Sequence, residues 1–497
     1  MATFRVLSNA VAWQPWSRAA FARAHVERKP VLLAISATWC DSCHEMDRTS
    51  YADPSIATLI NERFVPIRVD ADERPDIGER YNLGGWPTTA FLTPEGQILG
   101  GGTFVSADRM PGVLAQVADA FASHSFKSAE GAAIVEAASS TVPPMDEVSD
   151  AEMSARVLAT FDSLYGGFGI EPKFPLTAPL HLALDLWSAT PDSTSEAVLV
   201  ATLDAMGWSA LYDEVDGGFF RYATTRDWQM PHLEKLLDVN AALTRIYLEA
   251  GAALKIARFT ERGADTLRYI QTWLADPVDG GWRGSQQADH RYYAAATVDA
   301  RQDVPAPPVT SSMYTDSNAL MVQTALHAAR IFGDDGLRDF AVKSLERVLL
   351  LGYKPGAGVA HYFDGQARVR GLLADQFAMA AACLDVFDLT ENVVYEMMAE
   401  ELAHYAVGAM WDGERGGFLD RAHEEADPPI GLMSQPLRPF TTNCDASRTL
   451  RRLAAASGDH EFAGYADRTL AAMAPFAASH GPLAAHYLLA VRAAAAR

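Results

Sequence analysis

Trp39-Cys40-Asp41-Ser42-Cys43-His44-Glu45-Met46 is the stretch on which the reading of this chain turns. It follows Val31-Leu32-Leu33-Ala34-Ile35, an apolar, partly β-branched run suited to a buried strand. After Cys40 the pattern becomes helical. One cysteine is thus expected at the end of a strand and in the first turn of a helix. Unpaired N–H groups and the helix dipole stabilise a thiolate there, so Cys40 is the expected nucleophile. Cys43, one turn further on, is placed to resolve a mixed disulfide. Other readings compete. Half a zinc site needs two more ligands, and the remaining cysteines, Cys383 and Cys444, stand alone and far away. Cys40-x-x-Cys43-His44 also spells a haem-attachment signal, but the expected export signal is missing. An inert pair is the third alternative.

Composition narrows the class. A chain of 497 residues exceeds one hydrophobic core, so more than one domain is expected. A formal charge of -22 argues against a nucleic-acid partner, which Lys and Arg would have to hold. Residues Met1 to Pro15 lack a signal peptide's basic start and apolar middle, and no apolar run has membrane-spanning length. A cytoplasmic protein without a membrane partner is therefore expected. Cysteine pairs in that compartment are catalytic or redox-sensing more often than structural.

Around the opening stretch the elements alternate. A short helix ends before Pro30, and the Val31 strand and the Cys40 helix follow. Asp53-Pro54 starts another helix, with Asp as cap and Pro in the first turn. Phe64 to Asp70 reads as a second strand, Pro75 to Tyr81 as a helix, and Thr88 to Leu92 as a third strand. A turn at Thr93-Pro94-Glu95-Gly96 and a hairpin strand come next, and Ala107 to Ala122 closes the unit as an amphipathic helix. Trp-Cys-x-x-Cys at a strand–helix junction, with Gly85-Trp86-Pro87-Thr88 before a later strand, resembles the thioredoxin fold. The resemblance implies that Pro87 is cis and lies against the cysteine pair.

Longer motifs narrow the resemblance. Trp13-x-Pro15-Trp16, Cys40-x-x-Cys43-His44-x-Met46, Asn61-Glu62-Arg63-Phe64-Val65 and Glu73-Arg74-Pro75-Asp76 are similar to the spermatogenesis-associated protein 20 family. So are Glu171-Pro172-Lys173-Phe174-Pro175 and Pro231-His232-x-Glu234-Lys235. The resemblance implies a thioredoxin-like domain joined to a six-hairpin, glycosidase-like helical domain. The expected division is 1–122 for the first domain, 123–148 for a small, polar linker with Pro143-Pro144, and 149–497 for the second.

The second domain repeats. Twelve helical stretches begin near Ser149, Ala178, Ser195, His232, Thr260, Thr315, Asp335, Leu372, Glu391, Thr442, His460 and Pro482. Gly166-Gly167-Phe168, Gly217-Gly218-Phe219, Gly280-Gly281-Trp282 and Gly416-Gly417-Phe418 recur after odd-numbered helices. Tyr362-Phe363-Asp364-Gly365 is a degenerate copy. Odd helices are amphipathic and even ones are apolar all round, as in Phe377-Ala378-Met379-Ala380. All-round apolar helices are buried. Six outer helices around six inner ones satisfy both patterns, giving a multidomain protein of a thioredoxin-like α/β fold followed by an all-α (α/α)6 toroid.

Polar residues gather at the starts of the even helices: Lys173 before the second, His232, Glu234 and Asp238 on the fourth, Asp316 and Asn318 on the sixth, Asp375 and Gln376 on the eighth and Asp445 on the tenth. A toroid brings these ends to one mouth. Phe168, Phe219, Trp228, Trp282 and Phe418 are the expected aromatic rim. Carboxylates with aromatic walls suit a sugar. Against this, acids at helix starts serve as caps, and Gly-Gly pairs make turns. The functional expectation is a thiol–disulfide oxidoreductase acting through Cys40, Cys43 and Pro87 on a protein partner or redox donor, fused to a carbohydrate-binding cleft. The alternatives are a glycoside hydrolase or sugar epimerase acting at the mouth, and a non-catalytic binding module. No metal or cofactor is called for by these residues.

Overall fold

The computed structural model describes residues 11–123, 149–422 and 429–495. They fall into two compact units, one of residues 11–123 with 429–437, the other of residues 149–422 with 438–495. The linker expected over 123–148 lies, from residue 124, outside the described residues.

The first unit is built on α1 (Arg18–Glu27), β1 (Val31–Ser36), α2 (Asp41–Arg48), α3 (Pro54–Arg63), β2 (Val65–Asp70), α4 (Pro75–Tyr81), β3 (Thr88–Leu92), β4 (Ile98–Gly102) and α5 (Met110–Ala122). Its sheet runs β2-β1-β3-β4, with β1 and β2 parallel and the other neighbours antiparallel. Strand β1 is buried on both faces. Val31, Leu33 and Ile35 pack towards Phe21, Ile77 and Tyr81. Leu32 and Ala34 pack towards Met46, Ile60 and Leu114. That explains a continuous apolar run in place of an alternating one.

Part of this unit comes from a distant stretch of sequence. Leu432 and Met433 are buried in the same core as Ile77 and Tyr81. The Tyr81 hydroxyl donates to the Gly96 carbonyl at 2.8 Å and accepts the Leu432 N–H at 2.8 Å. Arg80 donates to the carbonyls of Leu432 and Gln435, both at 3.1 Å. A division at residue 122 misses this segment, because it lies in a long connection between two helices and carries no periodic signal.

The second unit continues with α6 (Asp150–Leu158), α7 (Ala178–Ala189), α8 (Ser193–Gly207), β5 (Tyr222–Ala223), β6 (Pro231–His232), β7 (Lys235–Leu236), α9 (Leu237–Leu254) and α10 (Ala257–Tyr269). Next come β8 (Ser285–Gln286), α11 (His290–Tyr293), α12 (Val298–Gln302), β9 (Met313–Tyr314), α13 (Thr315–Phe332) and α14 (Asp335–Gly352). The chain ends with β10 (Ala360–Phe363), β11 (Ala367–Arg370), α15 (Leu373–Thr390), α16 (Val393–Met410), α17 (Phe440–Ser457), α18 (His460–Met473) and α19 (Ala484–Ala495). Helices α7, α9, α13, α15, α17 and α19 pack each against the next, and α19 closes on α7. The partners α8, α10, α14, α16 and α18 lie outside, and α6 covers α7 and α19. Among the described residues this is a closed ring of six hairpins.

One helix start moves. The stretch expected to begin at His232 begins at Leu237. Pro231 and His232 pair with Tyr222 and Ala223, and Lys235 and Leu236 pair with β8. These ladders keep the chain extended until Leu237, and Pro231 holds the residue before it out of the helical region.

The Gly-Gly-aromatic turns answer to a second repeat. Asn240 accepts the N–H of Phe219 at 2.7 Å and donates to its carbonyl at 2.9 Å. Asn318 does the same for Trp282, Asn443 for Phe418, and Gln376 for Val359. Each carboxamide also donates to a carbonyl at the start of its own helix. All four amides are fully buried, and three hydrogen bonds each compensate their desolvation. The clamp fixes the turn's backbone on the inner helix and turns the ring inward. Gly218 has φ +81, and a Cβ there would sit 2.4 Å from the Tyr269 ring, so only glycine serves.

Candidate functional site

The first unit carries the cysteine pair where its elements meet. Cys40 is the N-cap of α2, and its Sγ accepts the Cys43 N–H at 3.1 Å. The two sulfurs form a disulfide. Cys40 is 5% exposed and Cys43 2%, so the first residue of the pair is the more exposed. Trp39 donates Nε1–H to Asp72 at 2.7 Å and meets Trp86 edge-on at 5.7 Å. The Trp86–Pro87 peptide is cis. Cys383 and Cys444 are buried, and burial raises both thiols, that of Cys383 to about 12, so neither offers a thiolate.

Asp70 ends β2 and is 4% exposed. Its Oδ1 accepts the N–H groups of Asp72 and Glu73 at 2.9 and 3.2 Å, while Oδ2 is buried without a partner. Burial, and then the charges of Asp72 and Glu73, raise its carboxyl well above the ordinary value of 3.8. The folded chain therefore holds this proton more tightly than the unfolded chain does. Stability from this group is complete below the unfolded value and is lost as pH rises through the folded one. Asp70→Asn is expected to raise the thermal midpoint of this unit near pH ~7 and to change it little near pH ~3.5. An equal shift at both pH values, followed by circular dichroism, counts against this account.

In the second unit all six inner helices line one cavity of about 670 Å³. Asp316 and Asp445 reach it as expected. Asp445 sits 3.1 Å from Nδ1 of His486 through either oxygen. Asp375 is fully buried in the first turn of α15, and its oxygens lie 3.0 and 3.1 Å from Nδ1 of His361. Donor atoms of Asp316, His361 and Asp375 all fall within 4.8 Å of one another. Asp238 lies in the first turn of α9. Loss of bulk water, and then the charge of Asp316, raise its carboxyl. Burial raises Asp375 likewise, with His361 opposing. Further down, His181 pairs with Glu249 at 3.1 Å. Against the cost of burial, His181 and Arg245 hold the Glu249 carboxyl well below the usual range.

Other expected site residues lie elsewhere. Lys173 is fully buried, with Nζ 2.5 Å from Asp162 and 3.1 Å from the Arg226 carbonyl. It closes the turn that carries Gly166 and Gly167. Glu234 is buried against Arg221, because it precedes the helix instead of riding on it. His232, on β6, stacks on Tyr222 at 4.5 Å, and Phe174 stacks on the other side at 4.7 Å. Phe168, Phe219, Trp228, Trp282 and Phe418 are at most 3% exposed and form no rim. Their rings fill the space between helix layers, as Trp282 does on Phe340 and Phe418 on Phe377. In this stack Phe174 is exposed and Tyr222 and His232 are half-buried, with Arg221 4.7 Å over Tyr222.

Sequence reasoning passed over His181, His361 and His486. Each faces a carboxylate on another element, and no spacing within one helix announces such a pair. The signal that was present for His361 is its place in the degenerate turn copy, beside Tyr362.

Residues 4–138 match the family Thioredox_DsbH, described as a protein of unknown function, DUF255. The chain is 29% identical to spermatogenesis-associated protein 20 of Mus musculus over 353 residues, 63% of this chain and 45% of that protein. It is 31% identical to Thioredoxin-1 of Drosophila melanogaster over 80 residues, 16% of this chain and 69% of that protein. The chain thus spans less than half the length of its spermatogenesis-associated relative. Among solved structures, a D-mannose isomerase is similar with TM-score 0.54 and 12% identity, covering 66% of this chain and 85% of that one. A sugar epimerase from a ruminal bacterium follows with TM-score 0.52 and 11% identity, covering 64% and 85%. At such identities the likeness concerns the fold. The chain is thus similar over most of its length to spermatogenesis-associated protein 20, and its N-terminal domain belongs to the thioredoxin family.

Proposed function

We propose that the first unit is a thiol–disulfide oxidoreductase of the cytoplasm and that the toroid binds carbohydrate. The observation that carries the first part is Cys40 at the N-cap of α2, bonded to Cys43 and more exposed than it. Reduction frees two thiols, and the helix N-terminus stabilises Cys40 as the thiolate that attacks a partner's disulfide. Asp41 and Glu45 bring negative charge to the same helix, while Asp47 is offset by Arg68 at 2.6 Å. That balance favours a reductant over a strong oxidant. Equilibration with glutathione, read by thiol alkylation, is expected to give a reduction potential between about -200 and -270 mV. A value near -120 mV, typical of periplasmic disulfide donors, sinks this assignment.

The second part rests on the cavity. Carboxylates and His–carboxylate pairs accept and donate hydroxyl hydrogen bonds, and the Phe174–Tyr222–His232 stack offers ring faces to sugar C–H surfaces. The neighbouring folds named for sugar isomerisation and epimerisation favour the same substrate class. A chemical step would use Asp238, whose raised proton affinity suits a proton donor, beside Asp316. Monosaccharides and short oligosaccharides are expected to bind with affinity that falls about tenfold in Tyr222→Ala, as measured by calorimetry. Sugar turnover that survives Asp238→Asn with Asp316→Asn removes the hydrolase and epimerase reading and leaves binding alone.

A further inference from the structure

Asp316, His361 and Asp375 stand on three separate elements, the first turn of α13, strand β10 and the first turn of α15. Two of the three are buried, His361 at 3% and Asp375 at 0% exposure, while Asp316 reaches the cavity. Tyr314 and Tyr362 lie 5.6 and 6.1 Å from the His361 ring and wall it in. The trio sets two carboxylates against one imidazole, with two of its three members buried. Burying charge without compensation costs several kcal/mol.

Among the described residues, the arginines around the cavity lie against other carboxylates. Arg245 pairs with Glu249 at 2.8 Å, and Arg452 with Asp385 and Asp388 at 2.7 and 2.9 Å. Arg448 lies 3.8 Å from Asp445, and Arg221 holds Glu234. Each guanidinium is committed to a different carboxylate. Two of the three donor groups, His361 and Asp375, are also spaced as neighbouring ligands. Metal–donor bonds of about 2.1 Å place neighbouring donors of an octahedron about 3.0 Å apart and opposite ones about 4.2 Å apart. Nδ1 of His361 lies 3.0 and 3.1 Å from the Asp375 oxygens, and the whole set spans at most 4.8 Å.

We propose that Asp316, His361 and Asp375 form a binding site for a divalent first-row cation, with its remaining coordination positions open to the toroid cavity. One imidazole and two carboxylates form a mixed nitrogen–oxygen set that accepts Mn2+ and Zn2+. The cation would neutralise the trio and present a Lewis-acidic centre to hydroxyl or carbonyl oxygens in the cavity. The proposal departs from the sequence reading, which called for no metal, because His361 is brought to the two acids by a hairpin that the helical repeat does not announce. It stands whether or not the cavity takes sugar.

The test uses the full chain in its oxidised form, so that Cys40 and Cys43 do not compete, with Mn2+ alone as the probe. Unbound Mn2+ is followed by electron paramagnetic resonance. The expected result is one bound equivalent, whose pulsed spectrum carries nitrogen modulation from His361. His361→Gln is expected to remove the modulation, and Asp316→Asn to weaken binding by about tenfold or more. Asp316 is only partly buried, so that variant keeps the toroid folded, as circular dichroism will verify. Mn2+ that stays unbound with the folded wild-type chain overturns the proposal. So does binding that both variants leave unchanged, or a bound signal without nitrogen modulation.

Discussion

Cys40→Ser is expected to abolish dithiol-driven reduction of a protein disulfide, by about three orders of magnitude or more. A serine hydroxyl does not ionise near neutral pH, so the N-cap has no anion to stabilise. Cys43→Ser should behave differently. Cys40 still attacks, but nothing resolves the product, and a mixed disulfide with the substrate accumulates and shows as a band of added mass without reductant. Cys383 and Cys444 supply a control, since both are fully buried. Under native conditions the Cys40→Ser, Cys43→Ser double variant should take up no alkylating label. Activity kept in Cys40→Ser, or the trapped species appearing there instead of in Cys43→Ser, reverses the assignment. Partner binding unchanged in Cys40→Ser, with no reductase activity in wild type, favours a docking role.

How far the sequence speaks for itself depends on whether a feature is periodic. The ring of hairpins was legible because six helices apolar on every face alternate with amphipathic ones, and burial follows directly from that pattern. The strand–helix junction at Cys40 was legible for the same reason. What escaped was the direction of side chains at turns. Phe219 and Trp282 looked like rim residues because glycine pairs mark exposed loops. Their backbones are clamped by Asn240 and Asn318, whose partners lie 21 and 36 residues away in sequence. Asp238, Asp316 and Asp375 shared a helix position and were found together. His361 became their neighbour through a hairpin, and the 429–437 segment joined the first unit with no repeat to announce either. Lys235, beside Glu234 in sequence, has its partner in a distant carboxylate, that of Asp213.

That partner gives the largest stability effect expected in the toroid. Asp213 is 4% exposed and accepts Lys235 Nζ at 2.7 Å and both Arg301 terminal nitrogens at 2.7 Å. Lys235 is fully buried among Tyr269, Phe220 and Tyr293, with Nζ 4.4, 5.2 and 5.1 Å from their ring centres. Arg301 keeps Asp216 at 2.5 Å when Asp213 is removed, so the cost falls mainly on Lys235. Asp213→Ala should destabilise the toroid by about 3–5 kcal/mol, the usual result of stranding one member of a buried ion pair. Two companion variants separate the causes. Asp213→Asn keeps an oxygen for the Val215 N–H, which Asp213 accepts at 3.1 Å, and so removes the charge while sparing the turn. Lys235→Met removes the stranded cation, and added to Asp213→Ala it should recover much of the loss, giving a coupling energy above about 1 kcal/mol. The pH dependence follows. Burial lowers the Lys235 amine from 10.5 to about 8, so the unfolded chain binds this proton more tightly between those values and stability from the group rises with pH across them. Without Asp213 the amine loses its charge at still lower pH, and the deficit of Asp213→Ala should shrink as pH rises from about 7 to 9. The quantity to follow is the toroid's own urea transition, since a chain of two units need not unfold in one step. A deficit that grows with pH, or additive effects of Asp213→Ala and Lys235→Met, would show that the turn geometry, and not the buried charge pair, sets the stability here.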